Sequence, residues 1–506
     1  MKTLFTVHNF SFVVAFFLIT LTVFKTIGNK NADLKSRRIV FECLPTSDNT
    51  VIDTPFVRSD TIVRIRKNID SLSTKDINSI RAGVSAMKAL PLSDPTSWGY
   101  QAAIHGTTAT NNLQSWNMCQ HRTRFFFSWH RMYLYFFERI LRAKSGNPNL
   151  TVPYWNYQLK AVLPATYRSL NYTDSSGIRK ANPLYDGSRY SSINDGGALP
   201  SSISTSINTS LNYIPFYTYQ SNLENPHGAV HTSIGGNMGG IRNAAKDPIF
   251  YLHHGNIDRL WEVWLRRCGG RVNPTASDTT WWKQRYTFFD ENKRAVVMTG
   301  AQIVKTAAQL SYRYQGLSDT VKCAAARIDE SKVPSQTWNL ITVPSVLRLN
   351  QNNLNVSLSK AKRDSLDRFL TVTSNRNSGS AKEDKYDQLF VSVEIFKINK
   401  APEGVIEVYL NLPPNETPNS NSKSFVGILD LFTASAHVHH SEEGNNINKI
   451  DATTAAKALD LDLANLGNAQ LTFVVRGNTL PNGKEVKTNS DVQLGNINIS
   501  AKKGDD

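Results

Sequence analysis

Cysteine is scarce in this chain, with four among 506 residues, at positions 43, 119, 268 and 323. That is too few for a disulfide scaffold to stand in for a hydrophobic core. One pair among Cys43, Cys268 and Cys323 fits an oxidising compartment. Negative charge is also short: 41 acidic residues face 57 Lys and Arg, a net charge of +16. The basic residues are scattered, with no long run and no nucleic-acid module. They read as a solvated surface, and no nucleic-acid partner is expected. Long apolar runs are missing except for Phe10–Phe24, which follows Lys2. That run is shorter than the ~20 residues that span a bilayer, so residues 1–28 read as an export signal, with anchoring by an uncleaved signal as the alternative. No later segment is apolar enough to cross a membrane, and no integral membrane partner is expected.

What remains is a chain long enough for two to four domains and apolar enough for a sizeable core. Ser73 to Asp76 offers a capping pattern before a helix that should stop at Pro91. A second helix is expected through Trp98 to His105, and a long aromatic one from His121 to about Lys144, apolar on most faces and therefore central. VPYWNY (152–157) reads as a short strand or turn, and residues 160–225 as long loops folded over the helices. Residues 316–385 read as a linker. From Leu389 the apolar period falls to two, in LFVSVEIFKI, VIEVYLNL and QLTFVVRG, which predicts an appended β-sandwich. The expected organisation is signal 1–28, helical catalytic domain 29–315, linker 316–385 and β-sandwich 386–506.

The catalytic expectation comes from histidine. Seven of the eleven lie between positions 105 and 254. His227 and His231 are four apart, so on a helix both rings project from one face and can share a metal ion. His253 and His254 fall in a second helical stretch opened by Asp247-Pro248, and His105, His121 and His130 form an upstream group. Taken singly, each would more often be a core histidine. Together they imply two facing triads without carboxylates, a ligand set that favours copper or zinc and disfavours Mg, Ca and Mn. Hydrolytic dinuclear zinc sites generally recruit a bridging Asp or Glu, and these motifs contain none.

The pieces CQHRTRFFFSWHRMYLYFFERIL, VPYWNY, PHGAVH and DPIFYLHHGNIDRLW resemble the two copper motifs of the type 3 copper family, which comprises tyrosinases, catechol oxidases and molluscan-type haemocyanins. The resemblance spans about residues 60–315 and implies a four-helix bundle. In it His105, His121 and His130 would bind one copper ion, and His227, His231 and His254 a second. His253 matches a histidine that is not a ligand in the family, and Tyr312-x-Tyr314 a motif closing its catalytic domain. Cys119 has the spacing at which fungal tyrosinases and molluscan haemocyanins join a cysteine to the ligand histidine, here His121, by a thioether bond. Plant enzymes carry that cysteine where this chain has Ala109.

The implied activity is oxidation of a small phenolic substrate by O2, from o-diphenol to o-quinone, with monophenol hydroxylation as an extension. Haemocyanin-like reversible O2 binding is the alternative. Glu224 matches the family glutamate that holds a water to serve as base, but Gly228 stands where the family's Asn would help it, and Asn156 where the family usually has Asp. These departures favour diphenol oxidation. Asn256 and Asp258 are expected to support the ligand histidines from behind, Asp258 having a surface pairing with Arg259 as its other reading. The C-terminal domain resembles those that plug the copper pocket of latent family members until a protease removes them. The plug is expected in SFVGILDLFTASAHVHH, at Phe432.

Overall fold

A computed structural model describes residues 54–110, 113–318, 335–344, 346–350, 353–360, 388–435 and 446–504. All lie in the compact unit Pro45–Asp506. The expected signal, Cys43, Cys323 and much of the expected linker lie outside the described residues. Cys268 is disulfide-bonded, and Cys119 is free and buried.

Among the described residues, six helices of eight residues or more build the first part. They are α1 (Thr74–Lys88), α2 (Trp98–His105), α3 (Phe126–Ser145), α4 (Ser201–Ser210), α5 (Phe216–Ile234) and α6 (Ile249–Arg266). Ser73 and Asp76 close a reciprocal capping box that starts α1, satisfying two N-terminal donors at once. The helix α3 is the central one, with fifteen of its twenty residues buried. It begins at Phe126, not at His121. Arg122 takes a left-handed φ of 55°, which a helix cannot accommodate, so His121 sits on the approach loop. The first α3 donors are met from outside, where Gln220 Oε1 accepts from the Phe127 amide at 3.2 Å. Gly146, at φ 68°, ends the helix in the left-handed conformation that glycine adopts without strain.

The stretch 160–225 departs from expectation, since it contains α4 and the first turns of α5. Ile203 and Ile207 are both buried and sit four apart, on one face of a helix whose other residues are mostly Ser and Thr. Pro226 lies inside α5, where it removes the amide donor one residue before His227.

The C-terminal part is a sandwich of two antiparallel sheets, and it starts earlier than residue 386. Its strands are β1 (Ser335–Val343), β2 (Leu347–Leu349), β3 (Leu354–Ser357), β4 (Gln388–Lys400), β5 (Gly404–Leu410), β6 (Phe425–Ile428), β7 (Ile447–Asp451), β8 (Gln470–Gly477) and β9 (Asp491–Gly504). One sheet runs β3-β8-β5-β6. The other runs β7-β4-β9-β1, with β2 also on β9. Thus β1 to β3, which lie in the expected linker, pair with the last strands of the chain. Between the sheets Val391, Val393, Ile406, Val408, Phe473, Ile497 and Ile499 form a separate core. Val405, Ile428 and Phe432 belong instead to the core of the helical part. The sandwich therefore docks by burying its own apolar residues among the helices. Asn478 Nδ2 donates to the Ser233 carbonyl at 2.8 Å, and Ala198 and Thr479 exchange backbone bonds of 2.7 and 2.9 Å.

Candidate metal centre

Four helices and one loop bring the histidines together. His105 is the last residue of α2, His121 lies on the loop before α3, and His130 is one turn into α3. His227 and His231 stack one turn apart on α5, and His253 and His254 lie on α6. Within the group of His105, His121 and His130, and again within that of His227, His231, His253 and His254, one nitrogen of each ring lies within 4.8 Å of the others. Two nitrogens on one ion at ~2 Å each are separated by at most ~4 Å, so each group fits a metal with small side-chain adjustment. The groups face each other: His130 stacks on His254 at 4.4 Å between ring centroids, and His121 on His227 at 5.6 Å.

The rings are held from behind by backbone. The Nδ1–H of His105 donates to the Ile241 carbonyl at 3.1 Å, that of His130 to Phe126 at 2.7 Å and that of His231 to Met238 at 3.0 Å. Each bond fixes the tautomer that leaves Nε2 with a free lone pair. Among the described residues, Nε2 of His105, His121, His130, His227, His231, His253 and His254 is buried without a hydrogen-bond partner. Buried polar atoms are seldom left so, and converging imidazole nitrogens with no partner in the protein are what a metal requires. Burial pushes His105 down to about 3, and His121, His130, His227, His231 and His254 well below the ordinary imidazole value. All are neutral at pH 7, the state that binds metal. Phe126 packs against His227 at 4.8 Å, and Phe250 against His254 at 4.2 Å, making the walls apolar.

The expected supporting pair behaves differently. Asp258 is buried but points away from the imidazoles. Its carboxylate accepts from Arg131, from Arg66 at 3.1 Å, and from the Tyr312 and Tyr314 hydroxyls at 2.6 Å each. Neither a histidine nor Arg259 is among these partners. Asn256 accepts from Arg259 at 3.4 Å and lies beside Tyr157. The ring-orienting role assigned to these two side chains thus falls to the carbonyls of Phe126, Met238 and Ile241. Sequence spacing gives no sign of these, because a carbonyl carries no residue identity.

Glu224 is buried, one turn before His227 on α5, and accepts the backbone N–H of Arg122. Burial raises its carboxyl to about 8, against the pull of Arg122, and Asp430 adds to the rise. Burial also raises the Cys119 thiol to about 12. Phe432 is fully buried, its ring parallel to that of His231 with centroids 3.9 Å apart, and lies 5.6 Å from His121 and 5.8 Å from His227.

Residues 95–221 and 199–267 match the common central domain of tyrosinase, residues 276–325 the polyphenol oxidase middle domain, and residues 344–502 a domain of unknown function. The chain is 32% identical to tyrosinase HcTyr1 of Hahella sp. over 50% of its own length and 63% of the relative's. Against polyphenol oxidase A1 of Vicia faba it is 30% identical, covering 50% and 47% respectively. It therefore spans about half to two thirds of the length of these curated relatives. A polyphenol oxidase of Malus domestica is 26% identical over 85% of this chain and 78% of the relative. In fold it is similar to a latent aurone synthase (TM-score 0.58, 21% identity, 89% and 92% covered) and to latent apple tyrosinase (TM-score 0.57, 21% identity, 89% and 100% covered).

Proposed function

Since the chain belongs to the type 3 copper family with the tyrosinases and polyphenol oxidases, we propose that it is a copper oxidase that converts o-diphenols to o-quinones with O2 and is made in a latent form. The observation carrying this reading is the pair of facing imidazole groups with seven Nε2 atoms that have no hydrogen-bond partner among the described residues. His105, His121 and His130 would hold one copper ion, and His227, His231 and His254 the other. Bound there, copper supplies the electron-transfer chemistry that couples O2 reduction to catechol oxidation. Relatives named as oxidases favour turnover over reversible oxygen carriage.

The chain's own groups do the rest. Carbonyl-anchored imidazoles keep the ligand geometry fixed, so little reorganisation is needed on metal binding. Phe126 and Phe250 keep water away from the centre. Glu224 would hold the water that takes the phenol proton, a role that needs its carboxylate ionised. With a carboxyl near 8 in the closed form, its base function falls away below that pH. Departure of the sandwich removes Asp430 and lowers the value. Cys119 and His121 would be joined by a thioether. Phe432 occupies the place of a substrate ring over His231, and this is the source of latency. A cut within residues 319–334, ahead of β1, would separate the sandwich from the helices in sequence, and an activating protease is the partner this implies. Residues 1–28 would direct export.

Oxygen uptake by the copper-loaded full chain, with a catechol and with a monophenol, before and after limited proteolysis, tests this reading. Catechol-dependent uptake that rises on cutting is expected. Equal rates before and after end the latent form, and no uptake from copper-loaded cut protein ends the oxidase.

A further inference from the structure

Arg122 follows His121 directly and holds a left-handed backbone conformation, φ 55°, of the kind that persists at functional sites when the surroundings enforce it. Its guanidinium has four side-chain partners. Asn225 of α5 accepts at 2.8 Å, and the other three belong to the C-terminal part: Asp430 at 2.7 Å, and Thr433 and Asn448 at 3.3 Å each. The Asp430 carboxylate is fully buried against α5, where it fits only because residue 228 has no side chain. A Cβ on Gly228 would stand 1.9 Å from Asp430 Oδ1. Two residues further on, the Phe432 ring covers His231. Asp430 Oδ1 also accepts the Phe432 amide at 2.8 Å, which fixes the carboxylate relative to the ring. The docked segment thus presents to the cleft an aromatic ring and, a short tether away, a carboxylate on an arginine.

When that segment leaves, the Arg122 guanidinium keeps Asn225 and loses the one carboxylate it hydrogen-bonds among the described residues, beside a cradle shaped by Gly228, the neighbour of His227. A charge-assisted bond to a carboxylate is the strong kind for a guanidinium. We propose that Arg122 and Gly228 form a carboxylate subsite at the mouth of the imidazole pocket, filled by Asp430 while the sandwich is docked, and that the substrates are phenols bearing a carboxylate on a short chain. The proposal rests on the oxidase reading and names its substrate class. It also gives a use to Gly228, the departure that weakens a monophenol reading.

Two measurements on the copper-loaded full chain test it. The first does not depend on turnover. In Asp430→Ala the subsite is vacant, and sodium formate at fixed ionic strength, with sodium chloride as control, should raise the melting temperature. The shift should be absent in the wild type, where Asp430 fills the site, and in Arg122→Gln/Asp430→Ala. No formate-specific shift in Asp430→Ala overturns the subsite. The second opens the pocket with Asp430→Ala/Phe432→Ala and compares kcat/KM for 3-(3,4-dihydroxyphenyl)propanoate and 4-methylcatechol. A preference of about tenfold or more for the acid is expected from one charged hydrogen bond. Adding Arg122→Gln or Gly228→Ala should bring the ratio towards one. Equal efficiency for both catechols in the opened chain overturns the subsite and leaves the oxidase standing. A formate shift without turnover of either catechol keeps the subsite and removes the oxidase. If the double variant fails to fold, the formate measurement decides alone.

Discussion

His254 and Asp258 stand one turn apart on the same helix, both buried, and the protein treats them in opposite ways. Both oxygens of Asp258 are engaged, by two arginines and two tyrosine hydroxyls. Arg131 in turn lies over the Trp261 ring at 3.5 Å, and Arg66 over Tyr312 at 3.6 Å. Both nitrogens of His254 are left without a hydrogen bond among the described residues. A satisfied buried charge holds chain segments in register. A cluster of unsatisfied imidazoles is stable enough to persist only if something outside the chain completes it. The comparison separates a structural knot, which ties residues 66, 131, 258, 312 and 314, from a receptor for metal.

The largest effect expected from this contrast is on acid stability. Folded imidazoles with lowered pKa values take up protons less readily than the unfolded chain does, so stability falls as pH drops below about 6.5, by about 1.4 kcal/mol per pH unit for each such imidazole. The knot works in a lower window. The Asp258 carboxyl is held below its usual value by Arg131 and Arg66 despite burial, so its contribution is present above about pH 4 and is lost only below that. Chemical denaturation of the metal-free protein between pH 7 and 4.5 should therefore show a steep decline that bound copper suppresses. A flat profile would mean that the imidazoles are hydrated.

Next in size is Asp258→Ala, which leaves Arg66 and Arg131 buried without their anion. Removing one partner of a buried pair costs about 3–5 kcal/mol, and the loss should be the same with and without metal. His254→Gln should do the reverse: modest change in the metal-free melting temperature and loss of the stabilisation that copper confers. If the two variants behaved alike, the distinction between knot and receptor would fail.

In the same range for stability, but opposite in activity, is Phe432→Ala. Truncating a buried phenylalanine costs about 3–5 kcal/mol, least where the site can collapse, while the uncut chain should gain catechol turnover. An unchanged rate would show that the ring does not block the pocket. Glu224→Gln acts through pH instead. With a folded value near 8 against an ordinary 4.5, Glu224 is protonated in the folded chain where the unfolded chain ionises. It therefore destabilises increasingly as pH rises from 4.5 to 8. The stability advantage of the Gln variant should grow across that window and level off above it.

The two regions also differ in how far the sequence reveals them. The histidine spacings on α5 and α6 are local, and α1 and α2 lie where caps and periodicity put them. The knot joins residues up to 248 positions apart, so no window of sequence contains it, and Asp258 one turn from His254 invites the wrong assignment. The helix α4 hides behind a Ser/Thr-rich surface with Ile203 and Ile207 as its visible signal. The strands β1 to β3 hide in a polar stretch whose partners, β8 and β9, come more than a hundred residues later. Arg122 is legible only in space, because what marks it is a left-handed turn and an aspartate 308 positions away.

The central claim, that the six imidazoles form two metal positions, is tested most directly by titrating the metal-free protein with copper and counting tightly bound ions per chain. Two per wild-type chain, falling in His254→Gln while Asp258→Ala that remains folded still binds two, is the predicted result. A single ion per wild-type chain, or the same count in His254→Gln as in wild type, would contradict it.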